Sequence, residues 1–454
     1  MKKNIFKILT FLFLAAAVIG CSKPISFNSD TSGGSVSLPT FNANSFQGVT
    51  QLRKTNTNGN SEYDTSDSYR AFATKMRSFS TKMSEVFTKE NYKSDKNFAI
   101  SPYSIELCLG LAIRCTNGDT RQEILDAIGV DYETFNRYYL TFFNHHKYEK
   151  KNPRDNPSTI SLPTNSIWIQ KDVKLKDECL DALQNDYACD AFYADFLNHN
   201  SDANRAIQNY IHDKTKGLLS PDLDLDRDTM FMLMNTIYLK DIWPEGITLL
   251  SRPLDETYRF KNATGSYSAK QLMGGSYMDG KAIENDDYSA FYFQTENRLT
   301  ITFIKPNEGK AMTDVFTKEN IDYVLEDHYI CQDDEKKEKY HTCCVFPEFE
   351  AYADFDLKST FINKFNVKKL FGNCDFSNIT DESTCVSDFK HIAKINVDKE
   401  GIEAAAVTYM VTPMMGPGDD YKEIYKEFIV DKEFGYVISC FGDVLFSGVV
   451  SNIN

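Results

Sequence analysis

Serine, histidine and aspartate all occur in this 454-residue chain, but the spacings that would assemble them into a hydrolytic centre are missing. There is no Gly-x-Ser-x-Gly elbow and no His-Glu-x-x-His helix. Seven histidines offer few general bases. The best placed, His391, follows Val386-Ser387-Asp388-Phe389-Lys390 on a strand-like run, where a lone imidazole is a core group more often than a catalyst. Eleven cysteines are spread without any C-x-x-C spacing, so no metal centre is expected, and no cofactor is called for. Cys108 and Cys115 lie in an apolar stretch and read as buried thiols. Cys343 and Cys344 are adjacent and cannot readily bridge each other; the disulfide pattern stays open.

The most unusual stretch is Lys399-Glu400-Gly401-Ile402-Glu403-Ala404-Ala405-Ala406-Val407-Thr408. It runs on into Thr412-Pro413-Met414-Met415-Gly416-Pro417-Gly418. Glu-Ala-Ala-Ala is a good helix former, so a short surface helix is one reading. A segment that can be either an exposed loop or an inserted strand is the other. As a strand it would carry Ile402, Ala404, Ala406, Thr408, Met410 and Thr412 on one uncharged face, with Glu403, Ala405, Val407, Tyr409 and Val411 opposite.

The elements that must position these residues fill most of the chain. Apolar and aromatic contents of 42% and 13% are ample for a sizeable core. Residues 68–454 are long enough for one large domain or two small ones. Phe72, Met76, Phe79, Met83 and Phe87 recur at three and four residues and predict a helix over 69–87. Asn97 to Ile105 leads into a second apolar helix, with Ser101 and Ser104 at its start, where a serine reads as an N-cap. A third helix is expected from Thr120 to Ile128, capped by Thr120 with Glu123 three residues on. His145 to Pro157 is polar and reads as a surface excursion. Met230 to Met234 reads as a buried strand leading to Asn235 and to Trp243, a large core anchor.

Met1-Lys2-Lys3 and the apolar run Ile8 to Ile19 form a stretch too short to span a bilayer, which takes ~20 residues, and they read as a secretory signal. The run ends in Val18-Ile19-Gly20-Cys21, which resembles a bacterial lipobox and implies cleavage before Cys21 and lipidation of its thiol. An ordinary signal with a chance cysteine is the alternative. Residues 22–67 are rich in Ser, Thr, Asn and Gly and read as a flexible tether. A net charge of −15 argues against a nucleic-acid partner.

Val397 to Ala406 resembles the reactive-loop hinge of the serpins, the loop-inserting protease inhibitors. The rest of residues 68–454 is similar to that family in the right order. The matching stretches are Asn97-Phe98-Ala99-Ile100-Ser101-Pro102-Tyr103-Ser104-Ile105, Asn165-Ser166-Ile167-Trp168, Asn235-Thr236-Ile237-Tyr238-Leu239-Lys240-Asp241-Ile242-Trp243, Val386 to Ala393, and Val444 to Val450. Tyr210, Asp241, Val367, Ile402 and Glu433 depart from the usual residues, Ile402 replacing Thr or Ser.

The resemblance implies an α+β fold with helices around a large central mixed β-sheet, smaller sheets, and an exposed reactive-centre loop over about 400–422. It places Ser101 and Ser104 behind the central sheet, Trp243 where the loop enters, and His391 bonded to Asn235 under the loop-entry gap. The hinge would be Gly401 to Thr408, with the scissile bond between Met415 and Gly416, or after Met414. The implied activity is suicide-substrate inhibition of elastase-, chymotrypsin- or subtilisin-like serine proteases, with cysteine proteases a further class, and no enzymatic turnover. The chain would be a monomer held to the membrane by its lipid, at the outer membrane or cell surface or facing the periplasm. Two alternatives stay open: a non-inhibitory binding module, which Ile402 supports, and a substrate-like relative that is cut without trapping.

Overall fold

The computed structural model describes residues 10–16, 40–55, 64–93, 95–150, 159–244, 250–251, 256–296, 299–326, 328–399, 401–402 and 421–453. The 3.6-residue apolar period folds as expected. Asp67–Asn91 (α1) buries Phe72, Met76, Phe79, Met83 and Phe87, and Ser66 caps it by accepting from the Tyr69 amide. Pro102–Cys115 (α2) is largely apolar and buried almost throughout. Gly118–Ile128 (α3) and Tyr132–His145 (α4) follow.

Among the described residues the main sheet has nine strands: Thr10–Ala16 (β1), Val49–Arg53 (β2), Tyr148–Lys150 (β3), Thr159–Gln170 (β4), Cys189–Ala194 (β5), Thr229–Ile242 (β6), Phe349–Asp356 (β7), Cys385–Val397 (β8) and Gly401–Ile402 (β9). β7 pairs antiparallel with β8, β6 antiparallel with β4, β4 parallel with β5, and β5 antiparallel with β2. Between β6 and β8 lies a slot one strand wide. β9 enters one end of it antiparallel to both walls, and β1 lies in the other end parallel to both. α2 lies against β6 and against Asp443–Val450 of a six-stranded sheet behind. In a third sheet Lys422–Ile429, the next described strand after β9, pairs in parallel with Glu338–Phe346. The architecture is the expected α+β arrangement of helices, a large mixed sheet and smaller sheets.

Three expectations are corrected. First, the stretch read as tether contains a packed piece. Phe41 sets its ring against Trp168, Phe192 and Tyr210 at 5.2–6.0 Å. β2 then closes the sheet edge, and Thr55 bonds the buried Asp190 carboxylate through its amide and hydroxyl. Phe41, Phe46, Val49 and Leu52 supply the apolar contacts that the polar average of this region conceals. Second, Thr120 and Glu123 do not cap α3. The Thr120 hydroxyl accepts from the Asp375 amide, and the Glu123 carboxylate accepts from the amides of Lys368 and Lys369. Third, the segment read as an excursion begins in the interior: His146 is fully buried.

Cys374 and Cys385 form a disulfide that ties the chain before β8 to its first residue, worth about 2–3 kcal/mol for so short a loop. Cys108 and Cys115 are buried, and burial pushes both thiols far above their usual range, which leaves them inert.

Phe41→Ala should lower stability by about 2–3 kcal/mol, the low end for an aromatic because Phe41 is only partly buried. Deleting residues 40–55 should lower it further. Denaturant unfolding checks both, and an unchanged midpoint for the deletion would mean the segment is a tether after all.

Candidate functional site

The candidate site is the end of the slot that holds β9. The turn before it is closed by two bonds: the Asp398 amide donates to the Gly401 carbonyl (3.0 Å), and the Gly401 amide to Asp398 Oδ1 (3.2 Å). Gly401 then pairs with Ile242, and Ile402 pairs with Asp241 on one wall and Val397 on the other. Ile402 is completely buried. Position 401 has no room for a side chain, since a Cβ there would lie 2.2 Å from the Asp241 carbonyl oxygen.

Asp241, where the resemblance has a glycine, continues β6 without a turn and is buried. Its carboxylate accepts from its neighbour's amide at Ile242 (2.9 Å) and from the Thr295 hydroxyl (2.5 Å). The charge is therefore held by hydrogen bonds, which a buried carboxylate needs. Trp243 stands at the mouth, where its indole N–H donates to the Asp398 carbonyl (2.9 Å) and its ring packs edge-on to Phe293 and Phe346.

Beneath the slot a polar network joins sheet and helix. Ser101 caps α2, accepting from the Ser104 amide (3.2 Å) and donating its hydroxyl to the Leu445 carbonyl (2.7 Å). The Ser104 hydroxyl donates to Asn235 Oδ1 (2.6 Å), and the Asn235 amide donates to Asn165 Oδ1 (2.9 Å) and the Thr164 carbonyl. His391 Nε2 accepts from the Ser101 amide (3.0 Å), which makes that nitrogen the unprotonated one. Both serines thus belong to the start of α2, and each bonds a strand of the main sheet, Ser101 through its amide to His391 and Ser104 through its hydroxyl to Asn235.

The bond between His391 and Asn235 is not formed; Asn235 turns to Ser104, Asn165 and Thr164 instead. Asn235 and His391 each pair with Ala15 of β1, one from either side, so a whole strand separates them, roughly 9–10 Å at two strand spacings. Asn165 and Asp398 were given no role from sequence. The first was legible as part of the Asn-x-x-Trp strand, but its partner lies 70 residues away.

Glu403, Ala404, Ala405, Ala406, Val407 and Thr408 of the hinge lie outside the described residues, as do Met414, Met415 and Gly416 of the expected scissile bond and Cys21. The register of the seated pair nevertheless defines where a continuing strand would run. Ala404 would fall level with Leu239 and Ile395, Ala406 with Ile237 and Ala393, and Thr408 with Asn235 and His391. A small cavity of about 10 Å³ lined by Ile237, Leu239, Ile395 and Ile402 lies along that path.

Gly401→Ala should force the hinge out of the slot, because its Cβ would meet backbone. The emission of Trp243, one of two tryptophans, should shift to the red as the Asp398 contact is lost, while Trp168 stays in the core. An unshifted spectrum would mean that the seat tolerates a side chain.

Residues 74–453 match the family model described as serpin, serine protease inhibitor. Iripin-1 of Ixodes ricinus is 27% identical over 374 residues, covering 79% of this chain and 90% of its own. Among solved structures, the thermophilic serpin tengpin in its native state aligns with a TM-score of 0.69 at 19% identity, over 89% of this chain and all of that one. Human thyroxine-binding globulin in complex with its hormone aligns with a TM-score of 0.68 at 19% identity, over 85% and 99%.

Proposed function

This chain belongs to the serpin family, and from that premise we propose that it is a suicide-substrate inhibitor of serine proteases. The observation that supports the reading is the seated pair Gly401–Ile402, which pairs with both walls of the slot as the first residues of an inserting strand would. A protease attacking the loop would form an acyl-enzyme. The freed hinge would then extend into the slot as a new strand, by strand addition. Residues entering that interior must be small and uncharged, since an unpaired buried charge costs several kcal/mol. Ala404, Ala406 and Thr408 meet the demand. A strand of ~14 residues at ~3.3 Å each would carry the bound protease roughly 46 Å and distort its active site. The inhibitor is consumed in the process and does not turn over.

The bond after Met415, with that after Met414 next, is the bait by counting from Gly401. Methionine suits elastase-, chymotrypsin- and subtilisin-like pockets, with cysteine proteases as a further target class. Cys21 would carry the lipid that holds the monomer at the outer membrane or cell surface. The Cys374–Cys385 disulfide suits such an oxidising location.

A second reading, a binding module whose loop never inserts, is favoured by one observation: β1 occupies the slot at the level Thr408 would reach. β1 falls within the stretch read as leader, whose removal would vacate that level.

Incubating the chain without its leader with an elastase or a chymotrypsin should yield a covalent band of summed mass on denaturing gels, with cleavage mapped after Met415 or Met414. Ala404→Arg should abolish the band and leave only cleaved product. Cleavage of the unaltered chain without a complex, and without a rise in Tm of the cut protein, would favour a substrate or a binding module.

A further inference from the structure

At the C-terminal end of α4, far along the chain from the loop, His145 and His146 face Asp443 of the hairpin built from Phe434–Cys440 and Asp443–Val450. We propose that these three side chains bind a divalent transition-metal ion, zinc foremost. Each offers one ligand atom, and the three atoms lie within 4.8 Å of one another. His146 Nε2 is 2.9 Å from Asp443 Oδ2, and His145 Nδ1 is 3.9 Å from the same oxygen. Ligands of a tetrahedral zinc at ~2.0–2.1 Å are about 3.3 Å apart, so these separations bracket what the ion needs and small side-chain rotations supply the rest. Two imidazoles and a carboxylate form a donor set that late first-row divalent ions prefer over magnesium or calcium.

A plain hydrogen bond leaves the cluster incomplete. Asp443 is 4% exposed and His146 fully buried. Among the described residues, Asp443 Oδ1 has no hydrogen-bond partner, the Tyr69 hydroxyl lies 3.3 Å from His145 Nδ1 and would turn aside for the ion, and the two imidazoles are the only basic side chains within 4 Å of the carboxylate. Buried polar atoms are usually satisfied, and exceptions call for an explanation such as an ion. A divalent ion would neutralise the carboxylate from within.

The cluster also has a cover. The Phe441 ring stacks on His145, with centroids 5.2 Å apart and planes at 12°, yet it is 48% exposed. Phe441 sits in the left-handed region at φ 51°, in a two-residue turn with Gly442 where Asn-Gly would be favoured. Arg77 donates to its carbonyl (3.0 Å) and steadies the turn. A single ring therefore separates the ligands from solvent.

The test uses the full chain stripped with a chelator and titrated with Zn²⁺ or Co²⁺ alone. One equivalent should bind, with a visible Co²⁺ absorption of low-symmetry type. Zinc at a hundredfold excess over Kd should raise Tm by about 3 °C, since an ion that binds only the native state stabilises it by mass action. His145→Gln and Asp443→Asn should each weaken binding at least ~10-fold. Should Asp443→Asn fail to fold, His145→Gln, beside the cover, carries the test. An unaltered chain that stays colourless with Co²⁺ and shows no zinc-dependent Tm would reduce the cluster to a histidine–carboxylate hydrogen bond. Affinity retained in the variants would place the metal elsewhere, on the thiols first.

Discussion

Two long strands held one strand apart set the terms for the rest of this molecule. A slot of that width exposes two rows of backbone donors and acceptors, and such groups must be paired or hydrated. β9 meets part of the demand at one end, and β1 part of it at the other. Between them no described residue pairs with Ile237–Lys240 on the slot side. The stretch most in need of a strand is thus the one that lies directly ahead of the seated hinge.

The polar network below the slot is arranged to survive either state. Asn235 has bonding partners on its own side of the sheet, and His391 takes its proton donor from α2, so neither depends on the other across the gap. A half-satisfied buried network is worse than an apolar core. One that closes on each wall separately lets the walls stand apart without leaving those groups orphaned. Ser101 and Ser104 make this possible by linking the helix start to each wall in turn. The price of that arrangement is that α2 must sit with its first turn in the interior, which its Pro102 and serine cap allow.

Much of this was legible in the sequence because it is local. Helix α1 follows from five apolar residues at helical spacing, and the burial of Trp243 from its size at the end of the Asn-to-Trp run. What escaped depends on distant partners or on averaging. The packed segment 40–55 carries only five apolar anchors, lost within a polar stretch. Thr120 and Glu123 fit a capping pattern, yet residues some 250 positions away claim their side chains. His146 and Asp443 are 297 residues apart, so the two histidines read as the start of a polar excursion on the surface. The His391–Asn235 bond failed for a topological reason, since pairing a strand into the slot moves its walls apart.

Ile402 draws these threads together. On the resemblance alone, a bulky residue in a place that favours Thr or Ser counts against insertion. In the fold it is completely buried against Asp241 and Val397, with the cavity of the slot before it. Full burial of such a side chain contributes roughly 2–3 kcal/mol, whereas a threonine hydroxyl there would need a partner of its own. Isoleucine therefore favours the seated state over the withdrawn one. Gly401 makes the seat reachable, because only a residue without a Cβ can pass the Asp241 carbonyl. The departure that weighed most against insertion becomes the anchor from which an insertion would start, and the small residues after it set how far that strand can run.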